Sequence, residues 1–115
     1  MADWFRSWHG APTDTKWLTI SRRASVLPGI VAAVAWALMD HASQAEDRGD
    51  VSGFDVETYA AFSGFDEEEV ASVVRAMTEK GMISGGRLVN WEKRQPVRED
   101  GSSERAKAWR ERRKA

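Results

Sequence analysis

The sequence predicts a mainly α-helical domain closed by one small β-hairpin. Three observations predict it: a run from Ser25 to Met39 with no ionisable side chain, two successive helix-start signals at Asp55 and Asp66, and Gly85-Gly86 between short β-prone runs. The uncharged run is shorter than the roughly 20 apolar residues a membrane span needs, so it reads as a buried core helix. At 115 residues, with 42% hydrophobic and 30% charged side chains, the chain has the material for one core and a tail.

Asp14 is placed to cap a first helix over 15–24, with Trp17, Leu18 and Ile20 as its apolar contacts and Arg22 and Arg23 near its C-terminus, where cations suit the helix dipole. Pro28 suits the first position of the next helix, because its missing N–H would be unpaired there in any case. That helix is expected to run to about Ala45. Ile30, Val31, Val34, Leu38 and Met39, with Trp36, leave it little polar face and put it at the centre of the core. After a polar loop at 46–50, residues 51–54 form a short strand or extended lead.

Gly53-Phe54-Asp55 and Gly64-Phe65-Asp66 repeat one arrangement, an apolar residue before an Asp cap with an apolar partner (Tyr59, Val70) four residues into the helix. This hydrophobic staple fixes how the chain enters a helix, and Glu69 adds a capping-box-like partner for Asp66. A short helix over 56–62 and a longer one over 67–80 follow, the second striped by Val70, Val73, Val74 and Met77 and ended by Gly81. A short helix, a tight turn and a longer helix make a helix-turn-helix unit. The hairpin around Gly85-Gly86 then serves as a wing. The predicted fold is therefore a winged helix-turn-helix over 14–93, preceded by an aromatic lead at 1–13 and followed by a linker at 94–102 and a basic arm at 103–115. The arm has good helix formers but too little apolar surface to fold alone.

Charge is segregated along the chain. The net charge is −1, yet residues 40–69 hold one basic and ten acidic side chains, and residues 87–115 hold ten basic and five acidic ones. Such an arrangement implies either separate partners for the two regions or an arm that folds back on its own domain.

The same order of elements resembles the winged-helix domain at the N-terminus of phage and prophage replication-initiation or replisome-organiser proteins. The likeness is carried by Trp17, Trp36-Ala37-Leu38-Met39 with His41-Ala42-Ser43, Asp47-Arg48-Gly49, Lys80-Gly81-Met82-Ile83, Trp91-Glu92-Lys93-Arg94-Gln95 and the basic segment from Ser102 to Arg113. It implies a role around DNA replication, through DNA binding, self-association or contact with the replicative helicase.

A helix that reads a major groove places its N-terminal residues at the base edges. Here those are Asp66, Glu67, Glu68 and Glu69, which would oppose the electrostatic attraction to phosphates and which serve as well to cap the helix. The expected phosphate contacts are instead Arg87, Lys93, Arg94, Arg98, Arg105, Lys107, Arg110, Arg112, Arg113 and Lys114, binding without sequence preference. Trp109 stacks on an exposed base, or anchors the tail on the domain or on a second subunit. Asp66, Glu67 and Glu68, with Trp4 and Trp8 from the lead, are candidate partner contacts; the lead's aromatics serve equally to pack a core or interface. The expectation is a DNA-associated replication or regulatory accessory protein. The alternative is an interaction or oligomerisation module that uses the acidic face without touching DNA.

No enzyme is expected: no phosphate loop, nucleophile elbow or dinucleotide fingerprint occurs. Two distant histidines, His9 and His41, and no cysteine argue against a metal site, and no cofactor is expected. The missing cysteines and the absence of a basic, apolar leader suit the cytoplasm.

Overall fold

The structure, a computed structural model, describes residues 4–95. A 3-10 turn at Ala11–Thr13 leads into α1 (Lys16–Ala24), α2 (Pro28–Gln44), α3 (Val56–Ser63), α4 (Glu67–Glu79), β1 (Ile83–Ser84), β2 (Arg87–Leu88) and a last helical turn, α5 (Trp91–Arg94). The described residues are thus mainly helical with one antiparallel hairpin. No single helix among the described residues is long and apolar enough to cross a membrane.

Three helices build the core because each offers an apolar face at helical spacing. Trp17 and Ile20 of α1, Val31, Val34, Leu38 and Ala42 of α2, and Val70, Val73 and Met77 of α4 are all buried, and α4 lies against α1, α2 and α3. Two apolar assignments made from the sequence need correction. Leu18 is 49% exposed and Trp36 46%. Leu18 follows Trp17, so a step of about 100° around the helix carries it off the face shared by Trp17 and Ile20. Trp36 lies off the buried face of α2, and Phe5 of the N-terminal lead meets it edge-on at 5.9 Å between ring centroids.

Both staples form. Asp55 accepts the Thr58 N–H at 3.2 Å, and Phe54 and Tyr59 meet at 5.7 Å. Asp66 accepts the N–H groups of Glu68 and Glu69, at 2.9 and 3.3 Å, while Phe65 stacks edge-on against Tyr59 and Val70 is fully buried. The two caps satisfy amide donors that a helix start otherwise leaves unpaired.

In the hairpin Ile83 pairs with Leu88 and Ser84 with Arg87. Gly85 and Gly86 both have positive φ, 58° and 75°, as a two-residue turn of this kind requires. The segment before α3 also joins: Asp50 bridges Arg87, Val51 donates its N–H to the Gly86 carbonyl at 2.8 Å, and Leu88 donates to the Gly49 carbonyl at 2.9 Å. The extended stretch expected over 51–54 therefore pairs one or two residues earlier, around 49–51, and then turns at Ser52-Gly53.

Gly49 is fixed by this junction. Its φ is 104°, and a Cβ there would stand 2.9 Å from Arg87 Nη2 and 3.2 Å from Trp91 Cγ. Gly49→Ala is expected to lower stability by about 1–3 kcal/mol from the left-handed backbone alone. Chemical denaturation measures it; a midpoint equal to that of the parent would mean that the junction is not tight.

The fold continues past the hairpin. Trp91 is buried and Gln95 is 4% exposed, although composition reads as linker from residue 94. The Gln95 side-chain amide donates to the Arg6 carbonyl and accepts the Arg6 N–H, each at 2.6 Å. This two-way bond ties the N-terminal lead to the end of the described chain.

Candidate nucleic-acid interface

The cations and carboxylates singled out from the sequence fall into three groups. Arg87, expected as a phosphate contact, is partly exposed and paired within the protein. Its guanidinium donates to Asp47 Oδ2 at 2.5 Å and to the Arg48 carbonyl at 2.9 Å, and lies 3.5 Å from Glu92. Hydrogen bonding to Asp47 raises its already high pKa. Arg87 therefore clamps the 46–50 loop to β2 and α5, its guanidinium engaged by Asp47, Glu92 and the Arg48 carbonyl. Lys93 is exposed on α5, and Arg94 closes that turn. Arg98, Arg105, Lys107, Trp109, Arg110, Arg112, Arg113 and Lys114 lie outside the described residues.

Among the acidic candidates, Asp66 is occupied as a cap, Glu68 pairs with Arg75 at 2.6 Å, and Glu67 is exposed. The carboxylates at the start of α4 thus serve their own helix, and this end of α4 repels phosphate. Trp4 is 55% exposed. Trp8 is not a free partner contact: its indole N–H donates to Asp14 Oδ2 at 3.0 Å, its ring lies 6.3 Å from Trp17, and the Lys16 ammonium sits 4.5 Å above it. The lead packs because Trp8 finds both an acceptor and an aromatic neighbour.

Two exposed cations were missed as interface candidates. Arg22 near the end of α1 and Lys80 after α4 are both exposed. An Arg23–Glu79 ion pair at 3.0 Å ties the ends of these helices together. Their signal, a helix C-terminus rich in Lys and Arg, was present but reads equally as dipole compensation. Lys16 and Lys80 flank a cavity of about 350 Å³ walled by Trp8, Trp17 and Trp91.

An open aromatic groove lies between α2 and α3. It encloses about 620 Å³ and is lined by Trp36, Asp40, His41, Phe54, Tyr59 and Phe62, among others. Phe62 is 91% exposed. Nothing local in the sequence marks this groove, since Trp36 and Phe62 read as ordinary helix residues. No group of three His, Cys, Asp or Glu among the described residues could hold a metal ion.

Three aspartates sit below the ordinary value of 3.8. At Asp14 burial pushes the carboxyl up, but the Lys16 N–H, the Trp8 indole and the Lys16 ammonium outweigh it. Asp50 is lowered chiefly by the Ser52 N–H and then its hydroxyl, Asp55 by the Thr58 hydroxyl and then its N–H. A depressed folded-state pKa contributes stability that is present above the unfolded value and lost as pH falls through the folded one. Unfolding free energy is therefore expected to fall with acid below about pH 4. Asp55→Asn should flatten that fall in an acid titration followed by circular dichroism; an unchanged acid slope would mean that this cap is not linked to protonation.

No family model, curated protein or solved structure matches the chain.

Proposed function

We propose that the chain is a DNA-associated accessory protein of winged-helix type, of the sort that works beside phage replication, and that it holds phosphates without reading sequence. The single observation that carries this reading is the segregation of charge, with ten acidic side chains in 40–69 and ten basic ones in 87–115. The winged-helix assignment is supported by the order of elements: α3, a turn at Gly64, α4, then a hairpin whose second strand is bridged by Asp50 ahead of α3.

The acidic start of α4 argues against base readout by that helix. Binding then rests on Lys93, Arg94 and the cations from Arg98 to Lys114, supplemented by Arg22 and Lys80. Contacts of this kind position a protein on the backbone and carry no sequence information. Fluorescence anisotropy with several unrelated duplexes of equal length tests the reading. Equal affinities are expected; one strongly preferred sequence would contradict it, and no binding to any duplex would favour a protein-interaction module.

A further inference from the structure

We propose that the α2/α3 groove is the docking site of the chain's own basic segment, residues 103–114, with Trp109 seated against Trp36, Tyr59 and Phe62. For its consequence this rests on the DNA reading above, since a docked segment is withheld from phosphate.

The groove needs an apolar occupant with positive flanks. Its walls are aromatic, Phe62 is 91% exposed, and large aromatics left open to water are characteristic of binding surfaces. Asp40 stands on its wall, and it belongs to a stretch of sequence, 40–69, with one basic against ten acidic side chains. The segment 103–114 answers both features. Trp109 is its single aromatic residue, flanked by Arg105, Lys107, Arg110, Arg112, Arg113 and Lys114. Buried aromatics and arginines anchor interfaces, and guanidinium groups also stack on aromatic faces.

The end of the described chain is tied to the groove through the N-terminal lead: Gln95 is bonded to Arg6, and the adjacent Phe5 meets Trp36, a groove wall, edge-on. Fourteen peptide steps separate Gln95 from Trp109, a reach of about 46–50 Å when extended. A tether of this length gives an effective concentration of about millimolar, so the intramolecular contact prevails over a second copy at lower protein concentrations.

Two variants of the full chain test this. Trp109 lies outside the described domain and Phe62 is almost fully exposed, so Trp109→Ala and Phe62→Ser are expected to leave the fold intact. In the absence of DNA, Trp109→Ala should shift the resonances of Trp36, His41, Phe54 and Tyr59 by NMR, independently of protein concentration. Shifts confined elsewhere, or none, would overturn the docking. Groove shifts that disappear on dilution would overturn the intramolecular assignment, since they report a neighbour's segment. If the segment is docked nine-tenths of the time, Phe62→Ser should tighten DNA binding about tenfold. Unchanged affinity in a chain that does bind DNA would overturn the proposed withholding. If neither chain binds DNA while the groove shifts remain, the docking stands and the DNA reading falls.

Discussion

Replacing Arg105, Lys107, Arg110, Arg112, Arg113 and Lys114 together by glutamine is expected to remove most of the affinity for duplex DNA. Each phosphate neutralised by a cation contributes about 0.9 to the slope of log affinity against log salt. Six lost contacts therefore lower that slope by about 5. The substituted positions lie outside the described residues, so the core of α1, α2 and α4 is left unaltered. A variant that retains the parent's affinity and slope would move the phosphate contacts to Lys93, Arg22 and Lys80 on the domain itself.

Trp91→Ala is expected to have the largest effect on stability, about 3–5 kcal/mol. Trp91 is 5% exposed, approaches Gly49, lies 5.6 Å from the Arg48 guanidinium and opens α5, the turn that delivers Gln95 to Arg6. Its removal unpins the hairpin, the 46–50 loop and the N-terminal lead at once. Denaturant titration measures the loss. A cost below about 1 kcal/mol would show that these three segments are held independently of this ring.

Elements whose instructions are local were legible in the sequence. Asp55 and Asp66 write helix starts within five residues, and Gly85-Gly86 writes a turn within two, so caps, staples and hairpin register follow from neighbours along the chain. What was not legible depends on distant partners. Leu18 and Ile20 are near-equivalent in hydropathy, and only the packing of α1 on α2 and α4 decides which is buried. Arg87 reads as one cation of a basic run until the fold brings Asp47, forty residues earlier, against it. The Arg6–Gln95 pairing spans 89 residues and has no local signal.

The site divides in the same way. Its charge pattern is a property of composition and is visible in the string of residues, whereas the groove is not. Trp36, Phe54, Tyr59 and Phe62 come from two helices and the segment between them, and they line one groove only once the chain has folded. Exposure of Phe62 follows from geometry as well: α3 has eight residues and turns Ala60 toward the core. Little remains to cover the opposite face of so short a helix.

The central claim, that segregated cations hold DNA phosphates without reading bases, is tested most directly by the salt dependence of duplex binding by the unaltered chain. Log affinity is expected to fall linearly with log salt, with a slope of about −5 or steeper. A slope near zero, at any affinity, would contradict it.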